Sequence, residues 1–399
     1  MKKKVLCLLL LMMGALPMLQ RATAQEVKLT ITNPSQNQRQ EVVEASLHAI
    51  CELLGADSLT PLKVKNAFGQ EITYQKSYDG KLLLSVALQP ESQVVYTITK
   101  GEPKVFTSCV FGRIYPNRLD DLTWENDRGI YRFYGPALQR TGERSFGTDV
   151  WVKNTPELVV EERYRQHMWG VHLRDSLKRA GKAEEANDIY INTSFHHDHG
   201  QGMDVYSVGP SLGCGAPALL KDGQLVFPYC FQDCKILDNG PLRFTAELTY
   251  GTTAAGTREH RLVCLDKGSN FNRMTVWYDG IKEPTALATG VVLHSDDNMT
   301  LDRKYILYAD PTDNPKVHQS QIYVGTLFPQ EVDETRVVEG KPSHAIGIIS
   351  QYRGEPYTYY FGSAWSNYDV RTMSQWRLLS EEKLQCIKNP LTVEITKNK

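Results

Sequence analysis

The stretch NGPLRFTAELTY, residues 239–250, contains the pattern on which the fold prediction depends. Its Asn-Gly-Pro opening is typical of a turn, and residues 244–250 form a short run rich in aromatic and β-favouring residues. A second turn signal stands at Asp279-Gly280. Strand-like runs of this kind recur over about 200 residues and continue to 376–378, which predicts a large antiparallel β-sandwich.

Upstream, residues 27–110 consist of shorter runs in which apolar and polar residues alternate with a period of two. Gly, Pro, Asn and Asp separate these runs. The predicted strands are 27–32, 62–65, 71–75, 81–88 and 94–99. The segment 41–54 also fits a helix, and that choice stays open. We interpret the region as a smaller N-terminal β domain without a catalytic role.

One segment, residues 155–190, departs from the strand pattern. Charged residues are mixed there with apolar residues at helical spacing, and Gly181 could end the helix. The chain is therefore predicted to be mainly β with one helical insertion. We divide it into a signal peptide (1–24), an N-terminal β-sandwich domain (25–110) and a large β-sandwich domain that carries the site (111–399).

The N-terminus has the three parts of an export signal. Lys2, Lys3 and Lys4 precede an apolar run over residues 5–19, and Ala22-Thr23-Ala24 follows. Cleavage after Ala24 would leave about 375 residues. This pattern predicts a periplasmic or secreted protein, and nothing downstream is apolar enough to span a membrane.

Charge and cysteine content limit the classes of partner. The formal net charge is −1 and no block of like charge occurs, which argues against attraction to nucleic acid or an anionic membrane. Seven sparse cysteines follow the signal segment, an odd number that does not describe a disulfide scaffold. The expected partner is a small or neutral-to-acidic molecule.

The first candidate binding segment lies between residues 115 and 136. Acidic residues, arginines and a tryptophan stand close together there, and buried charges need partners or a polar ligand. A solvated turn is the alternative interpretation. The candidate substrate-binding residues are Trp124, Glu125, Asp127 and Arg128.

The second candidate segment is FHHDHGQGMDVYSVG, residues 195–209. It combines three histidines, two carboxylates and glycines that suit a loop close to a ligand. Because histidine titrates near neutral pH, His197 or His199 together with Tyr206 could transfer protons.

Metal binding is the competing use of this segment. His197 and His199 would point the same way on an extended chain, and Asp198 or Asp204 could add an oxygen ligand. A divalent metal between His196 and Asp204 therefore stays an alternative, and no other cofactor is predicted. The His-Glu-x-x-His helix of zinc proteases does not occur.

Two further observations bear on chemistry. Arg243 begins a predicted strand and could bind a carboxylate in bidentate fashion, or be an exposed strand residue. No glycine-rich phosphate loop, nucleophile elbow or Cys-His protease signature is found, which argues against a nucleotide enzyme or a serine hydrolase.

The order of these motifs resembles a known family. The segments that carry the resemblance are YPNRLDDLTWENDR (115–128), YGP (134–136), DVWVK (149–153), HHDHGQGMDVYSVG (196–209), GCG (213–215) and NGPLR (239–243). The chain is similar to the family catalogued as domain of unknown function 4861, from polysaccharide-utilisation systems. The likeness covers nearly all of the chain after residue 24, and the helical stretch at 155–187 departs from the commonest pattern.

The resemblance implies a β-rich fold with a large sandwich of the galactose-mutarotase kind. For a characterised relative it implies ulvan-oligosaccharide dehydratase activity, which removes water from a non-reducing-end uronic acid and leaves a 4,5-unsaturated sugar. The expected enzyme is thus a carbon–oxygen lyase (hydro-lyase) whose partner is an oligosaccharide that contains uronic acid. A mutarotase-like epimerase, a glycoside hydrolase using Glu125 and Asp204, and a non-catalytic glycan-binding protein remain alternatives.

Such an elimination needs a base for the C5 proton, donors for the carboxylate and an acid for the C4 hydroxyl. We assign proton transfer to His197 or His199 with Tyr206. Carboxylate binding is assigned to Arg128, Lys153 or Arg243. Residues that orient these groups or bind the sugar are Trp124, Glu125, Asp127 and Asp204.

Overall fold

The structure is a computed structural model that describes residues 25–314, 316 and 319–398. The predicted signal peptide, residues 1–24, lies outside the described residues. Within them, no helix combines the length and apolar character that crossing a membrane requires.

The N-terminal region is built from two antiparallel sheets and one helix. Its elements are β1 (Val27–Asn33), β2 (Arg39–Ser46), α1 (Leu47–Leu54), β3 (Leu62–Lys65), β4 (Tyr74–Lys76), β5 (Lys81–Leu88) and β6 (Ser92–Lys100). The segment left open in the sequence is a strand followed by a helix, because the Ser46 hydroxyl accepts from Ala49 N–H and Gly55 ends α1 with φ +57°. Leu29, Leu84 and Ile98 belong to one buried core.

The large region contains three further sheets, each antiparallel between neighbours. The strands in chain order are β7 (Phe111–Tyr115), β8 (Asp121–Glu125), β9 (Ile130–Phe133), β10 (Thr148–Lys153), β11 (Gly202–Met203), β12 (Cys214–Lys221), β13 (Gln224–Val226), β14 (Phe231–Asn239), β15 (Arg243–Tyr250), β16 (Arg258–Asp266), β17 (Phe271–Asp279), β18 (Thr285–Leu293), β19 (Met299–Asp302), β20 (Tyr305–Asp310), β21 (Ile322–Leu327), β22 (Glu334–Val338), β23 (Ser343–Tyr352) and β24 (Tyr357–Trp365). A further strand, β25 (Thr392–Lys397), pairs with β1 and extends a sheet of the N-terminal region, so the end of the chain returns there.

The strand order defines a sandwich. An eight-stranded sheet runs β14-β15-β16-β17-β24-β21-β20-β19, and two five-stranded sheets run β13-β12-β18-β23-β22 and β11-β10-β9-β8-β7. All three contribute to one core, for example through Met274, Val291 and Trp124. The prediction of a mainly β chain with a large antiparallel sandwich is confirmed, since alternating side chains fill the space between the sheets.

Four α-helices with both ends among the described residues also belong to the large region: α2 (Pro136–Arg140), α3 (Val160–Arg179), α4 (Ala183–Thr193) and α5 (Met373–Lys388). The hairpin of α3 and α4 is the predicted helical insertion, with Gly181 at its turn (φ +75°). Where the two helices cross, a Cβ at Gly170 would lie 1.8 Å from Thr193 Oγ1, so only glycine fits.

One strand prediction was wrong. Residues 376–378 lie in α5, where Trp376 is buried and stacks on Phe271 at a centroid distance of 4.8 Å. Trp376, Ser380 and Leu384 are the buried residues of α5, and their spacing of four is that of a helix. Aromatic residues are frequent in strands, and Trp376 was therefore interpreted as part of one. Here it packs from helix α5 against the outer face of the eight-stranded sheet.

Candidate active site

Strand ends from two sheets meet at one end of the sandwich. The register pairs Asp149 of β10 directly with Arg132 of β9. Gly213 connects them to the neighbouring sheet, because it forms a parallel bridge with Thr148 and its carbonyl accepts from Val292 N–H at 2.9 Å. A Cβ at Gly213 would lie 2.2 Å from Thr148 O, so this approach requires glycine. The ends of β9, β10 and β18 therefore lie close together and border one region, which is the candidate active site.

A buried arginine with three carboxylates forms the first part of that region. Arg132 Nη2 lies 2.5 Å from Asp149 Oδ2 and 2.9 Å from Asp204 Oδ2, and Nη1 lies 3.9 Å from Asp121 Oδ2. No more than 6% of any of these side chains is exposed. Burial raises the pKa of Asp149 well above its usual value, and Arg132 only partly opposes this. The cluster can therefore hold a proton.

Several polar atoms of this cluster are unsatisfied. Nε and Nη1 of Arg132 and Oδ1 of Asp149 are buried without a hydrogen-bond partner among the described residues. Buried polar atoms in folded proteins usually have partners, and exceptions call for an explanation. A bound polar ligand would supply those partners.

His196 borders the cluster on the more exposed side. Its Nδ1 lies 2.7 Å from the backbone oxygen of Asp204, and 46% of its side chain is exposed. Because a carbonyl oxygen only accepts, Nδ1 must carry the proton, which leaves a lone pair on Nε2 of the neutral ring. The structure therefore places His196, rather than His197 or His199, against Asp204.

A histidine–aspartate pair forms the second part of the region. Nδ1 of His294 lies 2.6 Å from Oδ2 of Asp310, whose side chain is fully buried, while 19% of the His294 side chain is exposed. His294 directly follows β18, and Asp310 is the last residue of β20. The hydroxyl of Tyr308 accepts from the backbone N–H groups of His294 and Ser295 at 3.0 and 2.8 Å, which fixes the chain beside the pair.

Tyr206 lies between the two parts. Its ring meets His294 edge-on at a centroid distance of 5.8 Å. Its hydroxyl is buried and has no hydrogen-bond partner in the described part of the chain. Burial, and then the charges of Asp310 and more weakly Asp149, raise the pKa of Tyr206 well above its ordinary value. Tyr206 is thus a phenol that stays protonated at neutral pH.

The positively charged side chain of Arg118 lies at the edge of the region, beneath α3. Arg118 ends a short 3₁₀ helix, and its guanidinium carbon lies 5.1 Å from the ring centroid of Phe195 and 5.7 Å from that of Tyr164. Among the described residues its Nε is buried without a hydrogen-bond partner and no acidic group forms an ion pair with it, although its charge partly offsets the rise that burial causes in the pKa of Asp121. Arg118 is therefore available to a negatively charged ligand.

The two predicted catalytic histidines lie on an exposed turn. His199 Nε2 lies 3.1 Å from the backbone oxygen of Ser194, and the backbone oxygen of His197 accepts from Arg163. Of the predicted catalytic and orienting residues, the structure brings Tyr206 and Asp204 into the region of the Arg132 cluster. His197 and His199 make no contact with Asp204 among the described interactions.

Glu125 and Lys153 lie together at the opposite end of the same five-stranded sheet. Lys153 Nζ contacts Glu125 Oε2 at 2.7 Å and the Asn126 backbone oxygen at 2.6 Å. The carboxylate of Glu125 also accepts from the backbone N–H groups of Val159 and Val160 at the start of α3. Since α3 has no capping side chain of its own, Glu125 completes its N-terminus. These contacts give the pair a structural role.

The remaining predicted binding residues occupy different places. Arg243 forms two bonds to Asp266 and one to Glu44 of the N-terminal region. Trp124 is buried, and its indole donates to Asn272 Oδ1. Asp127 accepts from Gly268 N–H at 2.6 Å, and Arg128 lies 3.8 Å from both Asp127 and Asp369.

Six residues of the region were not among the predicted site residues: Arg118, Asp121, Arg132, Asp149, His294 and Asp310. The first four lie in or next to the quoted motifs, but strand register was needed to pair Arg132 with Asp149. His294 follows the apolar strand β18 (VVLH) and Asp310 ends β20 (ILYAD), and no local pattern joins them. Within the described residues, no three His, Cys, Asp or Glu side chains are arranged to hold a metal ion.

The family described as "Domain of unknown function (DUF4861)" matches residues 31–393. The chain belongs to this family. The resemblance found in the motifs is confirmed at that level. A relative named "Uncharacterized protein P7", from Formosa agariphila, is 26% identical over 334 residues, which cover 79% of this chain and 78% of the relative.

Three solved structures are distantly similar to this chain. An α-mannosidase from Enterococcus faecalis has 10% identity and a TM-score of 0.45, over 93% of this chain and 46% of that one. A glycosyl hydrolase family 38 protein from Enterococcus faecalis has 10% identity and a TM-score of 0.49, over 94% and 47%. This chain spans about half the length of both. The periplasmic domain of Thermotoga maritima YidC has 7% identity and a TM-score of 0.33, over 67% and 92%.

Proposed function

We propose that this protein is a carbon–oxygen lyase acting on polysaccharide-derived oligosaccharides. In the proposed reaction it eliminates water, or another C4 substituent, from a non-reducing-end uronic acid and gives a 4,5-unsaturated product. The observation that carries the proposal is the His294–Asp310 pair beside the unpartnered hydroxyl of Tyr206. The motif resemblance to a family with a dehydratase member supports the reaction class.

His294 is assigned as the base. The carboxylate of Asp310 accepts from Nδ1–H, so the neutral ring offers the lone pair of Nε2 to the C5 proton. Once His294 is protonated, the buried charge of Asp310 stabilises the imidazolium. This arrangement repeats the base-and-carboxylate logic of other enzymes that abstract protons with histidine.

Tyr206 is assigned as the acid. Its phenol is protonated at neutral pH, and its hydroxyl has no described partner that would compete with the departing C4 oxygen. Burial weakens Tyr206 as an acid, so the assignment rests on its position beside His294, whose imidazolium is the nearby cation when the phenolate forms. The C5–H electrons form the 4,5 double bond, the C4–O bond breaks, and the oxygen leaves as water with the proton of Tyr206. Transfer of the C5 proton from His294 to the phenolate then restores both residues, so no net proton is consumed.

Arg118 is assigned to the carboxylate of the uronic acid. The C5 proton becomes acidic enough only if charge that develops on the carboxylate is stabilised by donors. Arg118 lies on the Phe195 ring without an ion-pair partner among the described residues. A planar guanidinium suits bidentate binding of a carboxylate.

The test is to incubate the purified protein with a panel of uronic-acid oligosaccharides, with and without a chelator. Ultraviolet absorbance of the conjugated uronate and a mass loss of one water would support dehydration, and the chelator would decide metal dependence. Epimerised sugar without absorbance would indicate an epimerase, and shorter oligosaccharides a hydrolase. Binding with no product from any substrate would indicate a glycan-binding protein.

A matched pair of variants tests the assigned base. His294→Ala should lower turnover by about a hundred- to ten-thousand-fold, the usual contribution of general acid–base catalysis. His260 forms the matched control, because it also bonds an aspartate, Asp279, at 2.9 Å, but that carboxylate is mostly exposed. His260→Ala should leave turnover unchanged. Equal turnover in both variants would remove His294 from the mechanism.

A further inference from the structure

A groove lies on the hairpin of α3 and α4, apart from the proposed proton-transfer groups. It encloses about 500 Å³ and is lined by Arg165, Gln166, Trp169, Asn192, Thr193 and His199. That volume lies within the range of small-molecule sites. Trp169 is 55% exposed, whereas Trp124, Trp151, Trp365 and Trp376 are buried. An indole held open to solvent beside polar groups is an unusual use of this residue.

The lining of the groove matches the surface of a sugar ring. The flat indole face of Trp169 can pack against the C–H face of a pyranose. Gln166 donates to Glu162, which leaves its amide oxygen as an acceptor. His199 must donate from Nε2 to the Ser194 carbonyl, so Nδ1 is left as an acceptor. Together with the exposed Asn192 amide, these groups can bind sugar hydroxyls.

The charge of the groove favours a neutral sugar over a uronic acid. Arg165 is already bonded to Glu162 through two nitrogens, at 2.5 and 2.7 Å. With its guanidinium engaged in this way, Arg165 is not free to bind a uronate, and it is the one arginine or lysine in the described lining of the groove. Burial and the neighbouring Arg163 lower the pKa of His199, so its ring is uncharged at neutral pH.

The groove adjoins the candidate active site through one short turn. Within residues 194–199, His196 is bonded to the backbone of Asp204, and His199 lines the groove. We propose that this groove is a distal subsite that binds a neutral sugar unit of the same oligosaccharide whose uronic acid reacts at His294. The inference rests on the proposed function for the identity of the ligand.

The test measures binding as well as turnover. Calorimetry with neutral and uronate-containing oligosaccharides, from disaccharide to hexasaccharide, would give affinity as a function of length. Trp169→Ala should weaken binding of the longest oligosaccharides by about tenfold and leave the disaccharides unchanged. Trp169→Phe should keep most of the affinity, because a flat ring remains. Phe68→Ala is the control, since Phe68 is 88% exposed in the N-terminal region.

The outcomes separate the subsite from the reaction. If Trp169→Ala loses length-dependent binding while no substrate yields an unsaturated product, the subsite stands and the proposed reaction fails. If product forms and Trp169→Ala binds and turns over every length as the wild type does, the subsite is overturned and the reaction stands. Equal loss in Phe68→Ala, or no glycan binding by the wild type, would also overturn the subsite.

Discussion

The two ends of the sheet β7–β11 both bury charged residues, but they differ in how those charges are satisfied. At one end Lys153 is 1% exposed, and its ammonium contacts a carboxylate and a carbonyl. At the other end Arg132 is 5% exposed, yet Nε and Nη1 lack hydrogen-bond partners among the described residues. Buried charge alone therefore does not mark a functional site. The Arg132 end is distinguished because unsatisfied atoms of Arg132, Asp149 and Tyr206 lie together there.

This difference also explains why the sequence motifs indicated Glu125 and Lys153 as binding residues. Glu125 and Lys153 lie in the densest charged motifs, and their pairing across two strands joins β8 and β10 to the start of α3. Such a pair stabilises one arrangement of the sheet and the helix. The other end combines Arg132, Asp149 and Tyr206 with atoms that the fold does not satisfy, so a ligand is the natural complement.

At the Arg132 end of the sheet, Tyr206→Phe should have the largest effect on turnover. Removal of the proposed proton donor should lower turnover by about a hundred- to ten-thousand-fold. Because the hydroxyl has no described partner, its loss should leave the free energy of unfolding unchanged or slightly higher. Steady-state kinetics and urea unfolding measure the two quantities.

Tyr164→Phe is the control for this prediction, because the Tyr164 hydroxyl is also buried but is bonded to Thr123 at 2.9 Å. That change should lower stability by about 1 kcal/mol, the usual net value of a hydrogen bond. A Tyr206→Phe protein that is destabilised but fully active would reverse the contrast between satisfied and unsatisfied groups.

Lys153→Met tests the other end of the sheet, where Lys153 pairs with Glu125. It leaves the Glu125 carboxylate buried without its cation, and breaking a buried ion pair typically costs about 3–5 kcal/mol. Urea unfolding should show this loss. The folded fraction should keep its turnover number, because Lys153 is engaged with Glu125 and Asn126 and not with the candidate site.

The double variant Lys153→Met, Glu125→Gln sharpens the result, since it also removes the unpaired negative charge of Glu125. It should recover part of the stability lost in Lys153→Met. If Lys153→Met were fully stable and lost turnover, the pair would be part of the site and the assignment of the two ends would be wrong.

Much of the fold could be predicted because its signals are local. The alternating runs at 27–32, 62–65 and 81–88 coincide with β1, β3 and β5, since period-two burial can be seen in a short stretch. The helical character of residues 155–190 was also predicted from a local signal, the helical spacing of its apolar residues. The return of β25 to β1 could not be predicted, because no pattern in residues 392–397 specifies a partner more than 350 residues away.

The candidate site was less accessible to sequence reasoning. Tyr206 and Asp204 stand in a dense motif, so they were selected as candidates. His294 and Asp310 come from β18 and β20, which belong to different sheets, and only the packing of the sandwich brings them to 2.6 Å. His196 and His197 are adjacent in sequence, and the direction of the turn decides which one contacts Asp204.

A smaller effect is expected from His167, an incompletely satisfied group of α3 close to the candidate site. It packs on Phe195 at a centroid distance of 4.0 Å, and its Nδ1 is buried without a described partner. Burial, followed by the nearby charges of Arg118 and His196, lowers the pKa of His167 to about 3. An unfolded histidine has a pKa of about 6.5, so between these values the unfolded chain binds the extra proton.

The contribution of His167 to stability is therefore complete above about pH 6.5 and is lost progressively as the pH falls towards about 3. His167→Phe removes this titration, so its urea midpoint should fall less between pH 7 and pH 5 than that of the wild type. Part of the fall should remain, because burial also lowers the pKa of His344 to about 4. His172→Phe, at an exposed position on α3, should behave as the wild type. Identical pH profiles for all three proteins would show that His167 is not held neutral by the fold.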